Sequence, residues 1–69
     1  MDIGKRIKKL RKNSKLSQQE LADIIKIKKT TLDFWERGVK IPRIRNAIKI
    51  ADYFKVSMDY LLGITKAPR

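Results

Sequence analysis

Residues 28–38 read KKTTLDFWERG, a dense run of groups able to hold a ligand. Lys28, Lys29 and Arg37 supply cationic N–H donors, and Thr30 and Thr31 supply hydroxyls. Asp33 and Glu36 accept hydrogen bonds, while Phe34 and Trp35 offer apolar rings. Such a set suits gripping an anion that carries some apolar surface. It suits bond-breaking chemistry poorly.

The chain of 69 residues contains no His and no Cys. The commonest general base is therefore missing, along with thiolate nucleophiles, thiolate metal sites and disulfides. No glycine-rich loop suited to cradling phosphates is found, and no carboxylate pair has convincing catalytic spacing. An enzyme is not expected, nor a metal, nor a cofactor. No apolar run approaches the about 18 residues of a membrane span. No apolar segment follows the charged N-terminus as it would in a secretory signal. The expectation is a cytoplasmic protein, lying on the nucleoid if it binds DNA.

Charge narrows the choice. Lys and Arg number 18 against 7 acids, a net +11. One cluster runs from Lys5 to Lys15 and a second from Lys26 to Arg45, while residues 16–25 carry no basic side chain. A solubility device needs no such arrangement. A polyanionic partner does, whether nucleic acid or an anionic membrane surface.

The spacing of apolar residues is helical throughout, and a single small domain over residues 1–69 is expected. Ile3, Ile7 and Leu10 recur as one face of a first helix capped by Asp2 and fraying near Asn13 and Ser14. Ser17 and Glu20 have capping-box spacing and open a second helix with Leu21, Ile24 and Ile25 as its apolar stripe. A third covers about Lys28 to Arg37 and stops at Gly38, followed by an exit through Pro42. Ala47, Ile48, Ala51 and Phe54 mark one face of a fourth helix over Ile44–Phe54. Ser57 caps a short fifth helix, MDYLLG, and residues 64–69 form a tail.

On a wheel of roughly 100° per residue, with Lys29 at zero, Asp33, Arg37, Thr30 and Phe34 fall within about 140° of it. Leu32 and Trp35 lie on the other side. The third helix thus has a core face and a polar one, with Phe34 at the margin. Phe34 either packs at the edge or meets a thymine methyl. Gln18 and Gln19 stand in the first turn of the second helix, beside backbone amides that suit phosphate. Two helices joined by a short turn, with these faces, are the parts of a helix-turn-helix spanning about residues 17–37.

RIKKLRKNSKLSQQELADII, TTLDFWERG, the Pro42 exit, NAIKIADYFKVS and MDYLLG occur in that order. In these segments, over about residues 3–63, the chain resembles the phage repressor and Cro-like helix-turn-helix proteins, also called Xre-like regulators. The resemblance implies an all-α, five-helix, lambda-repressor-like domain that binds double-stranded DNA, usually as a homodimer, with its third helix in the major groove. It implies base contacts from Lys29, Thr30, Asp33 and Phe34. It implies phosphate contacts from Gln18, Lys40 and Arg43, with Lys28 and Arg37 added by their charge. Arg11 and Glu36 match an ion pair tying the first helix to the end of the third. The chain departs from the family's usual residues at Lys26, where Gly is common, at Lys28, where Ser or Thr is common, and at Arg37, where Asn is frequent.

Asp33 either accepts from cytosine N4 or serves an intramolecular partner such as Lys29, four residues back. Thr30 either supports the helix or meets a base. Lys5, Lys8, Lys9 and Lys12 form a solvated face giving long-range attraction. Tyr53, Tyr60, Leu61 and Ile64 either pack within the chain or form a two-fold interface. The function expected is a sequence-specific transcriptional regulator, a repressor acting on a palindromic operator. An antitoxin or restriction-system controller working beside a protein partner is the alternative, and a co-purifying toxin would distinguish it. A membrane-surface protein would need a large exposed apolar stripe, whereas these stripes are spent on one core.

Overall fold

The computed structural model describes residues 3–67, so the expected Asp2 cap lies outside the described residues. Five helices follow in order: α1 (Ile3–Asn13), α2 (Gln18–Ile25), α3 (Lys29–Glu36), α4 (Ile44–Phe54) and α5 (Met58–Leu61). No strand occurs among the described residues, and no helix is long and apolar enough to cross a membrane.

Helix starts follow local chemistry. The Ser17 hydroxyl accepts from the Glu20 amide at 3.0 Å while the Ser17 amide donates to Glu20 Oε1 at 2.8 Å, a complete capping box. Ser57 caps α5 by accepting from the Tyr60 amide at 3.0 Å.

Helix ends share one device. After each helix stands a residue with φ near +60° to +80°: Lys15, Lys26, Gly38, Lys55 and Gly63. The next residue is apolar, and its amide closes back onto the carbonyl five positions earlier. These bonds run from Leu16 to Arg11, Ile27 to Ala22, Val39 to Phe34, Val56 to Ala51 and Ile64 to Asp59, at 2.8–3.1 Å. They satisfy carbonyls that a helix terminus leaves open. In the three lysine turns the apolar residue also reaches inward, so Leu16, Ile27 and Val56 pack against the core. Glycine would adopt the left-handed geometry more easily.

Every helix contributes one large, fully buried side chain to the centre: Ile7, Leu21, Leu32, Ile50 and Leu61. Each such burial contributes about 1.5–3 kcal/mol. α1 packs on α3 and α5, α2 on α3 and α4, and α4 on α5. At the α1–α3 crossing Gly4 is buried, and a Cβ built there would run into the carbonyl oxygen of Trp35. Only glycine allows the two backbones this approach.

Two stripes differ from expectation. Ile24 and Ile48 are 40% and 47% exposed, and their places are taken by Ala22 and Ile50. In both helices two apolar residues flank the buried arc, and a stripe drawn through either one satisfies helical spacing. The neighbouring helices, not the spacing, choose between them.

Candidate nucleic-acid interface

Leu32 and Trp35 turn α3 into the core, with Glu36 buried beside them. That orientation puts Lys29 and Thr30 on the surface, with Asp33 and Phe34 half-buried at its edge. Gln18, Lys29, Thr30 and Asp33 together line a shallow depression of about 200 Å³ between the starts of α2 and α3.

Beneath this surface lies a connected polar network. Arg11 grips Glu36 side-on, with Nε 2.7 Å from Oε2 and Nη2 2.9 Å from Oε1. Its Nη1 donates to the Leu16 carbonyl at 2.8 Å. The Gln18 amide nitrogen donates to Glu36 Oε1 at 3.1 Å and to Asp33 Oδ1 at 3.2 Å. Two carboxylate oxygens fix which way that amide points, because only its NH₂ end can donate. Asp33 Oδ2 then receives Arg37 Nε at 2.8 Å. The chain of bonds joins α1, α2 and α3 and surfaces at the polar face.

The network sets Asp33's acidity. Gln18's amide draws its carboxyl below the ordinary value against partial desolvation, with Arg37 and Lys29 adding to the depression. The hydrogen-bond partners of Asp33 are Gln18 and Arg37. Lys29, the partner suggested by spacing, contributes only its charge.

Arg37 and Lys40 gather on Phe34, their cationic centres 5.5 and 5.8 Å from its ring centroid. Lys40 and Arg43 line an open groove of about 600 Å³ with Thr31, Trp35 and Ile41. Lys28 is exposed at the start of α3 and makes no side-chain cap there. A larger groove of about 850 Å³ is lined by Lys26, Arg43, Arg45 and Lys49 together with Ile27 and Ile44. Two of those cations, Arg45 and Lys49, are not among the contacts expected from the sequence. The signal was the basic cluster ending at Arg45, followed by Lys49 one helical turn later.

The four residues named for a two-fold surface divide. Leu61 is fully buried and Tyr60 is 8% exposed, so both side chains pack inward within the chain and leave little surface for a second copy. α5 is held there by Leu61 among the core side chains and by Arg6, whose guanidinium carbon lies 4.9 Å from the Tyr60 ring centroid. Tyr53 and Ile64 remain exposed, at 43% and 70%. Among the described residues no cluster of His, Cys, Asp or Glu could hold a metal ion.

Residues 7–61 match the family HTH_3, helix-turn-helix. The chain belongs to this family. The protein is 35% identical over 63 residues to the HTH-type transcriptional regulator ImmR of Bacillus subtilis, covering 91% of this chain and 50% of that relative. Its fold is similar to that of the P22 c2 repressor in complex with a synthetic operator, with a TM-score of 0.82 and 28% identity over 88% of this chain and 92% of that one. It is similar too to the biofilm master regulator SinR in complex with DNA, with a TM-score of 0.80 and 36% identity over 87% of this chain and 97% of that one. SinR is from Bacillus subtilis. This helix-turn-helix chain spans about half the length of the curated relatives it matches.

Proposed function

We propose that this chain is the DNA-binding domain of a transcriptional regulator, a repressor in the cytoplasm that inserts α3 into the major groove of a palindromic operator. The observation that carries it is the two-sided α3, with Leu32 and Trp35 in the core and Lys29 and Thr30 on the opposite surface over a braced polar network. Lys29 reads guanine O6 and N7, and Thr30 meets a neighbouring base or thymine methyl. Lys28, Arg37, Lys40 and Arg43 grip the backbone. Gln18 belongs to the brace: with its amide hydrogens turned toward Asp33 and Glu36, it meets a phosphate through its backbone N–H at the start of α2. The relatives named above, two of them solved with operator or DNA, support the reading.

A homodimer fits this function, since one small domain reads few base pairs and doubling it produces an inverted repeat with half-sites about 34 Å apart. No catalytic role is part of the proposal. In vitro selection from random duplex DNA at about 0.15 M salt tests it, that being near physiological ionic strength. An enriched inverted repeat is the expected result. Salt-steep binding to every duplex, without enrichment, would overturn the regulator reading.

A further inference from the structure

Phe34 is the point at which the end of α3 and the loop after it are fastened together. Its carbonyl accepts the amides of Val39 at 2.9 Å and Lys40 at 3.3 Å, the chain having turned back at Gly38 with φ +77°. Its ring lies under the cationic ends of both Arg37 and Lys40. Both distances are within the about 6 Å over which a ring attracts a cation. Asp33 completes the arrangement by holding Arg37 through Nε, which leaves the two terminal amino groups of the guanidinium for a ligand.

Resting on the DNA-binding reading above, we propose that Asp33 and Phe34 read no base in this chain. They form a buttress that aims Arg37 and Lys40 together at one stretch of sugar-phosphate backbone. Sequence reading is left to the first turn of α3, Lys29 and Thr30.

The chemistry of each group leads there. To accept from cytosine N4, Asp33 would have to share oxygens already given to Gln18 and Arg37. A bare carboxylate in the groove is repelled by phosphates, whereas one paired with Arg37 is tolerated. A phenyl ring crowded by two cations has little face left for a thymine methyl. The cations are well matched to a diester: a guanidinium presents paired donors to two phosphate oxygens, and an ammonium serves the same anion as a point charge. Phe34 and Asp33 are thus positioning residues, acting through Arg37 and Lys40.

The test compares wild type, Phe34→Leu, Asp33→Asn and Thr30→Ala on the operator obtained by selection. Each is measured against every single-base-pair variant of that operator, against a scrambled duplex, and across a salt series. Thermal unfolding of each variant confirms that it is folded at the assay temperature. Phe34→Leu is expected to weaken operator and scrambled duplex by the same factor, roughly two- to fivefold. The slope of log K against log salt should shrink by up to about 0.9 for a lost phosphate contact. Asp33→Asn should shift both affinities in the same direction and by the same factor. The ranking of base pairs should stay as in wild type for both, while Thr30→Ala changes it at one position.

Relaxed preference at one base pair with Phe34→Leu or Asp33→Asn, at unchanged scrambled-duplex affinity, would overturn the buttress. If the wild-type chain selects no site at all, the underlying DNA-reading proposal fails, and this one with it. That failure is visible before any variant is compared.

Discussion

Arg11 and Glu36 stand 25 positions apart in sequence and meet through two parallel hydrogen bonds of 2.7 and 2.9 Å, with both residues 8% exposed. A charge at that depth is costly unless paired. Arg11→Met or Glu36→Leu should each destabilise the fold by about 3–5 kcal/mol, since each strands the other charge. Arg11→Met with Glu36→Leu should cost less than either alone. Urea denaturation of the four proteins at pH 7 checks this. A double mutant that loses the sum of the two single losses would show that the residues do not act as a pair.

Gly4 and Gly38 should both resist substitution, for different reasons. Alanine normally improves a helix interior by about 1 kcal/mol over glycine. At Gly4 the added methyl meets the Trp35 backbone, which cannot yield like a flexible side chain, so α1 must lift from α3. Overpacking of this kind costs about 1–3 kcal/mol and should reverse the usual gain. At Gly38 nothing lies within 4 Å of the added carbon, and the cost of about 1–2 kcal/mol comes from φ +77° alone. Thermal midpoints of the two variants decide it. A Gly4→Ala protein as stable as wild type would show that the two helices are not locked at that crossing.

Acid should loosen the start of α2 and the polar face of α3 together. The Glu20 carboxyl is held below its ordinary value by the Ser17 amide, then by the Ser17 hydroxyl, and Asp33 is lowered chiefly by Gln18. A carboxyl whose value falls on folding stabilises the fold when ionised. That contribution is present above the unfolded values of about 3.9 for Asp and 4.3 for Glu, and it fades as pH falls through the lower folded ones. The Glu20→Gln protein should therefore show a shallower loss of stability below about pH 4.5 than wild type. Urea midpoints between pH 3 and 7 measure the difference, and superimposable profiles would count against the Glu20 contribution.

Lys29 and Lys40 should separate by what their removal does to DNA binding. Lys29→Ala should relax preference at one base pair by about 1–3 kcal/mol. Lys40→Ala should weaken all duplexes alike and lower the salt slope by about 0.9 per bound monomer. Binding titrations on matched and scrambled duplexes at several salt concentrations distinguish them. Equal effects of both substitutions on every sequence would remove Lys29 from the reading surface.

Much of the architecture could be read from individual residues. Ser17 with Glu20, Ser57 and Gly38 mark the helix boundaries by chemistry that acts within four or five positions, and the observed boundaries fall there. The opposition of Leu32 and Trp35 to Lys29 and Thr30 needs only the helical repeat. What escaped was decided by neighbours distant in sequence. Spacing alone could not rank Ile50 above Ile48, or recognise Leu61 as a central core residue. Gly4 gave a faint signal, a glycine inside a helical pattern. The turns KL, KI and KV gave a stronger one, each a lysine followed by an apolar residue directly before the next helix begins. The polar network lay further from view, because Gln18 must be placed in space before its amide can be seen to serve two carboxylates.

Those three lysine turns bear on when the domain is folded at all. An L-residue in the left-handed region costs about 1–2 kcal/mol, and Lys15, Lys26 and Lys55 all sit there. Together they draw on a margin that for small domains is only about 5–15 kcal/mol. A polyanion that binds the native form alone restores that margin by mass action. Heat resistance then becomes a property of the occupied molecule. Copies left without a binding site unfold first, and the cell's proteases would meet the surplus before they meet the working population.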